Sequence, residues 1–259
     1  MMWEGPRFWI GIAVSVCLAA AAALAVEEWF WLRRSGLLTA HARREMQLSW
    51  SCLVPNTIAA LGLAGAWTFI YSSVQHWALW QFPTTLLTGL AALLAVDFVY
   101  YWEHRLAHRV KWLWRLYHAT HHGSDQYTIA TAYRVSFMNH FFAPALYIPC
   151  VLIGFEPLLV AGLQLFVIHY QAWVHTEMIG PLRWLDPLFN TPANHRVHHS
   201  RSAQHQGRNF GAILMLWDRL FGTHVRAERI AAYGIPDSQP PRTALALYLD
   251  PWRARSSRG

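Results

Sequence analysis

Residues 97–122 read DFVYYWEHRLAHRVKWLWRLYHATHH, and the rest of the chain is best understood outward from them. An apolar run ends in His104 and His108, and a second group, His118, His121 and His122, comes soon after. On a helix, residues three and four apart are neighbours, so the i, i+4 and i, i+3, i+4 spacings gather imidazoles on shared faces. His195, His198 and His199 repeat the triplet spacing further along. Eight of the fifteen histidines thus fall in three clusters. Neutral imidazoles are good ligands for iron, zinc, copper and nickel. Eight are more than one zinc ion takes from a protein, so the pattern predicts a two-metal site.

The chain has 259 residues, which suits one domain with a sizeable core. Hydrophobic residues make up 54% and charged residues 14%, where a soluble protein has about a quarter of its residues charged. The charge deficit is concentrated in long apolar runs, which predicts an all-α, polytopic integral membrane bundle. About 20 apolar residues cross the hydrocarbon layer, and residues 8–31, 50–74 and 82–102 are the first three expected spans. A signal peptide is the competing reading of the first. Residues 141–174 are longer than one ordinary span and are interrupted by Gly154, Glu156 and Pro157. Two short helices turning there would start and finish on the same side, keeping His175 with the other histidines. A single long tilted span would separate them.

The net charge of +7 is carried largely by clusters beside the apolar runs: Arg33, Arg34, Arg43 and Arg44, then Arg105, Arg109, Lys111 and Arg115. Such clusters read as cytoplasmic flanks, with a solvated basic face as the plainer alternative. Nucleic-acid binding would want a basic stripe on a soluble face or a known motif, and is not expected. Cys17, Cys52 and Cys150 lack metal or disulfide spacing and read as small buried hydrophobes. Asp97 and Tyr101 share a helical face with His104 and His108. An aspartate at a membrane edge needs a partner. The free N–H of a ligating histidine would supply one, and an ordinary ion pair is the alternative. For Tyr101, interfacial packing carries equal weight. Residues 209–222 read as a short surface helix, and the tail from Pro236 as loosely ordered.

Three patterns carry a family resemblance. D-x-x-Y-Y-W-x-H-R-x-x-H is formed by Asp97, Tyr100, Tyr101, Trp102, His104, Arg105 and His108. W-x-x-x-H-x-x-H-H is formed by Trp114, His118, His121 and His122. N-H-R-V-H-H runs from Asn194 to His199, with NFG at 209–211 and WDRLFGT at 217–223 beyond it. Over roughly residues 90–225 the chain resembles the fatty acid hydroxylase/sterol desaturase superfamily. Through YYWEHRLAH, HATHHGSDQY and YQAWVHTE it looks most like the alkylglycerol monooxygenase branch and its bacterial relatives.

The resemblance implies two iron ions, with zinc as a substitute in a purified sample. It further implies dioxygen as co-substrate, a membrane lipid as substrate, and electrons from a separate reductase or carrier. It adds His175 to the ligand set and brings Asn194 into the site, although Asn194 unaided reads as a turn or cap. Where some relatives have H-x-x-x-H, this chain has Gln171 before His175, so His140 and His169 compete for a place. Asp97, Asp125, Glu177 or Asp186 could offset the metal charge, and Trp114, Tyr117 and Trp173 could line an entrance.

The expected organisation is therefore N-terminal transmembrane helices over 1–80, a catalytic domain over 81–225 and a C-terminal tail over 226–259. The histidine-rich di-metal site is expected at the cytoplasmic face of the cell inner membrane. The expected reaction is O2-dependent hydroxylation of a lipid C–H bond, with an ether lipid, fatty acyl lipid, sterol-like molecule or carotenoid all fitting. A desaturase would use the same site. A metal transporter would place its ligands nearer the midplane, and a metal hydrolase would turn over without oxygen. The sequence does not set the oligomeric state.

Overall fold

The computed structural model describes residues 6–253. Among these the regular elements are helical, with two isolated bridges, Phe189 to Leu214 and Ser200 to Tyr233. The long helices are α1 (Pro6–Arg34), α2 (Ala40–Ser51), α3 (Leu53–Gln75), α4 (Leu86–Arg109) and α5 (Pro157–Val174). Their starts reflect local chemistry. The Thr39 hydroxyl accepts from Ala42 N at the head of α2. Thr85 and Thr88 form a capping box at α4. Glu156 caps α5, whose first residue is a proline that needs no hydrogen-bonded N–H there.

Four helical stretches are long and apolar enough to cross a membrane: Phe8–Arg34, Ala40–Gln75, Leu86–Arg109 and Pro157–Val174. Val54, Ile58, Leu61 and Phe69 on α3 are all exposed. A helix apolar on its outer face suits a hydrocarbon surrounding better than water. The inner faces of α3, α4 and α5 meet in a core that includes Tyr71, Val96, Leu159, Val160 and Val167.

Residues 139–153 form short helical pieces, and the chain reverses at Gly154, whose φ of 126° suits glycine alone. The loop between α3 and α4 grips this turn: Leu79 N donates to Leu152 O and Phe82 N to Gly154 O. The segment 139–174 therefore doubles back as a hairpin, and His175 emerges at the end of the bundle away from Gly154. At that end the α1 carboxylate of Glu28 accepts from Ile129 N and Thr176 Oγ1.

α4 continues beyond the apolar stretch to Arg109, so His104 and His108 lie on the same helix as Asp97, as their shared face requires. Two details differ from the sequence reading. Residues 209–222 are helical only over Leu216–Leu220, and Phe210, Ala212 and Met215 are fully buried. Asp218 curls this segment by accepting from Phe210 N at 2.8 Å and Gly211 N at 2.7 Å. The tail is packed over its described part, with 254–259 outside the described residues: Ala244–Arg253 is a helix, Leu247 is buried, and Thr120 Oγ1 donates to Leu247 O.

Candidate metal centre

The nine histidines come from four pieces of chain. His104 and His108 end α4, His175 lies just past α5, and His195 and His198 sit on α6 (Pro192–His198) with His199 just beyond. His118, His121 and His122 lie in the irregular stretch 111–122, which includes a π turn over Trp114–His118. The extra residue of a π turn re-aims the side chains beyond it, and His118 Nε2 comes within 2.8 Å of His108 Nε2 on α4. α6 is short and starts sharply, with Thr191 as N-cap and Pro192 in the first turn.

These side chains form two groups. His104, His108, His118, His122 and His198 offer ring nitrogens lying within 4.8 Å of one another, and His121, His175, His195 and His199 do the same. The triplets are divided between them. The i, i+4 members, His118 with His122 and His195 with His199, stay together, while His121 and His198 cross to the opposite group. Helix geometry explains the division: residues four apart differ by about 40° around the axis, and the third residue points about 60° the other way.

Most of the facing atoms are Nε2. His198 Nε2 lies 3.2 Å from His108 Nε2 and 3.1 Å from His122 Nε2. In the second group His175 Nε2 lies 3.2 Å from both His121 Nε2 and His199 Nε2 and 3.0 Å from His195 Nε2. Three backbone carbonyls fix the opposite ring edges. Phe210 O accepts from His104 Nδ1 at 3.0 Å, Gln171 O from His175 Nδ1 at 2.6 Å, and Arg208 O from His198 Nδ1 at 2.8 Å. A neutral imidazole has one N–H, so each of these three Nε2 atoms carries a lone pair. One lone pair on His175 cannot accept from three neighbours, and His104 Nε2 is buried with no partner. A cation at the centre of each group resolves both. Metal–nitrogen bonds of about 2.0–2.1 Å give neighbouring ligand nitrogens about 2.9–3.4 Å apart, close to the spacing seen here. The residues fit two metal ions.

Burial also keeps the ligand set neutral. It holds His118, His121, His122, His195 and His199 well below the usual imidazole range, with repulsion between neighbouring imidazoliums adding to it. Burial likewise lowers His175 to about 3 and His198 to about 4. A ligating nitrogen must be unprotonated.

The remaining candidates stand outside the two groups. Asp97 holds no histidine N–H: its carboxylate accepts from Ile213 N at 2.8 Å, Leu214 N at 3.3 Å and Trp217 Nε1 at 2.9 Å. The segment it fastens is the one that carries the Phe210 carbonyl. Tyr101 is buried, its hydroxyl shared with Thr223 Oγ1 and receiving a bond from Arg105. Asn194 Nδ2 donates to Asp186 O and Phe189 O, ordering the approach to α6. Asp125 pairs with His41, Glu177 accepts from Tyr233, and Asp186 accepts from Thr191, so these three carboxylates are engaged elsewhere. His140 bonds to Asn56 and His169 to Leu165 O, and neither joins a group. Sequence reading missed the three anchoring carbonyls, which leave no signal because any residue supplies one. It also missed a buried brace beneath the first triplet, where Arg134 donates to Thr120 O and to Glu45 at 2.9 Å.

A cavity of about 300 Å³ reaches the site from between α3 and α5. Leu53, Ala60, Val135, Leu165 and Ile168 give it apolar walls, and His104, His118, His121 and His175 line it as well. Tyr117 lines this cavity, and the Trp114 ring packs on His108 and His122. Trp173 packs on Tyr170 instead.

The family profile described as fatty acid hydroxylase matches residues 89–223. The chain is 42% identical over 159 residues to an alkylglycerol monooxygenase of Xenopus tropicalis, covering 60% of this chain and 34% of that protein. It is 36% identical over 148 residues to an ornithine lipid hydroxylase of Rhizobium tropici, covering 55% and 43%. A cholesterol 25-hydroxylase-like protein of Danio rerio is 28% identical over 238 residues, covering 83% and 88%. The chain thus spans about a third of the length of the alkylglycerol monooxygenases it matches. No solved structure matches it.

Proposed function

We propose, from the premise that the chain belongs to the fatty acid hydroxylase family, that it is an O2-dependent di-iron hydroxylase acting on a C–H bond of a membrane lipid. The observation that carries this reading is the meeting of two all-histidine groups with an apolar cavity. We assign His104, His108, His118, His122 and His198 to one iron and His121, His175, His195 and His199 to the other. Five imidazoles in one group exceed the usual tetrahedral set of zinc, which favours iron. When bound, the irons would supply the activation of dioxygen needed to attack an unactivated C–H bond. Overall, lipid C–H, O2, two electrons and two protons give C–OH and water, with the electrons from a separate reductase or carrier.

The chain's own residues hold and shape the site. The Phe210, Gln171 and Arg208 carbonyls keep three histidines in one tautomer and orientation. Asp97, Tyr101 and Asn194 are positioning residues, acting through the segments that carry those carbonyls and α6. The cavity walls receive the hydrocarbon part of the lipid and exclude water. The named relatives act on lipids of several kinds, which supports the class of substrate and leaves its head group open. Arg33, Arg34, Arg109 and Lys111 near the histidine end favour a site at the cytoplasmic face of the inner membrane. In this reading residues 81–225 are catalytic, framed by the helices of 1–80 and completed by the segment 226–259.

The test is turnover by the iron-reconstituted protein with a reductase system, lipid extract and labelled dioxygen. A lipid that gains one labelled oxygen, and does not form with His121→Ala, is the expected result. Unsaturation without label would reassign the chain as a desaturase. Turnover that persists without oxygen and iron would overturn the reading.

A further inference from the structure

The cavity wall holds a carboxylate that the metal centre does not use. Glu103 directly precedes His104 on α4, lines the cavity and is only 8% exposed. Three other buried carboxylates have donors on both oxygens, and Glu45 has two donors, Ser124 Oγ and Arg134, on one. Asp97 receives Ile213 N on one and Leu214 N and Trp217 Nε1 on the other. Asp218 receives Phe210 N and Thr223 on one and Gly211 N on the other. Glu28 receives Thr176 and Ile129 N. Glu103 receives one donor, the Tyr147 hydroxyl, on Oε2 at 2.9 Å. Its Oε1 has no partner among the described residues.

A second acceptor lies in the same wall. Gln171 Nε2 donates to Ala212 O at 2.9 Å, which fixes the amide orientation, and Oε1 is left buried without a partner. Gln171 is 7% exposed and lines the cavity. Leaving the buried Gln171 acceptor unpaired costs about 1–3 kcal/mol. A hydrocarbon chain alone would not recover that cost. A ligand bearing a hydrogen-bond donor would. Beside nine neutral histidines and the metal charge they would hold, a cationic amine is disfavoured, and a neutral hydroxyl meets the same acceptors without repulsion.

We propose that Glu103 and Gln171 form a specificity site that reads a hydroxyl group on the lipid, held near the carbon presented to the metal centre. This rests on the reading of the chain as a lipid hydroxylase. It adds that the substrate carries a free hydroxyl close to the site of attack, and that a lipid with that oxygen capped binds poorly.

The experiment measures binding without turnover. The full iron-loaded chain in detergent, kept free of oxygen and reductant, is titrated with 1-hexadecanol and with its methyl ether, with iron content and melting checked for every variant. The wild type is expected to bind the alcohol about tenfold more tightly than the ether. Glu103→Leu is expected to bring the two within about twofold, Glu103→Gln to keep part of the preference, and Gln171→Leu to lower it by about threefold. Should Glu103→Leu fail to fold, the Gln171→Leu result decides. Equal binding of alcohol and ether by the wild type would overturn the proposal. So would a preference unchanged in every folded variant. The broader reading fails separately: a protein that shows the hydroxyl preference but forms no labelled product is not a hydroxylase, and one that forms product without the preference refutes this site alone.

Discussion

Replacing Asp97 tests whether the metal centre depends on a residue that touches no histidine. The Asp97 carboxylate accepts two short bonds, from Ile213 N at 2.8 Å and Trp217 Nε1 at 2.9 Å, and a longer one from Leu214 N at 3.3 Å. Bonds to a charged acceptor contribute about 1.5–3 kcal/mol each. Counting the two short ones, Asp97→Ala should lose about 3–6 kcal/mol, a large part of the ~5–15 kcal/mol that holds a domain together. Asp97→Asn keeps one acceptor oxygen and turns an NH2 toward the other donors, so about half that loss is expected. Because the fastened segment carries the Phe210 carbonyl that orients His104, iron should fall with stability. The assay is thermal unfolding in detergent, with iron measured on the same samples and proteolysis monitored at residues 205–220. The expected pattern for Asp97→Asn is a folded protein with a lower midpoint, faster cleavage in that segment and reduced iron. A variant that melts with the wild type and retains full iron would refute the coupling.

Other consequences can be measured alongside. In the metal-free protein, burial lowers His175 to about 3 and His198 to about 4, whereas an unfolded imidazole titrates near 6.5. The unfolded chain therefore binds protons first, so stability is flat above about pH 6.5 and declines as pH falls toward 3. A midpoint unchanged between pH 7 and pH 4.5 would contradict this. Arg134→Met should cost about 3–5 kcal/mol by leaving buried Glu45 without its cation, and Glu45→Gln added to it should recover part of that loss in denaturation midpoints. Gly154→Ala should cost about 1–3 kcal/mol, because φ is 126° there and the Trp80 carbonyl occupies the space of a side chain. As this turn lies at the far end of the bundle, iron content should stay at the wild-type level.

The features legible in the sequence are those with a local period. Apolar runs of spanning length marked the long helices, and the i, i+4 pairs His104–His108, His118–His122 and His195–His199 marked the histidine clusters. The hairpin at Gly154 was also readable, since a glycine, a capping glutamate and a proline stand together at the reversal. Features set by distant or irregular backbone could not be read. The partners of Asp97 lie more than a hundred residues away, so its burial against Ile213 and Trp217 has no local signature. Residues 209–215 resemble a helix by composition but are curled by Asp97 and Asp218. Each triplet's split follows from its spacing, but which histidines of other elements complete each group depends on how α4, α6 and the π turn meet. Ala244–Arg253 is ordered by its packing at Leu247 and the bond from Thr120, which the prolines and terminal charges around it conceal.

The central claim is that the two histidine groups hold one iron each, and a metal count tests it most directly. After anaerobic reconstitution with ferrous iron and removal of excess, the wild type should hold about two irons per chain. His175→Ala removes the nitrogen facing three others in its group, and His108→Ala removes one from the other group. Each variant should retain about one iron, with absorption spectra that differ between the two because the surviving ligand sets differ. A single metal in the wild type, or zinc that ferrous iron does not displace, would contradict the account.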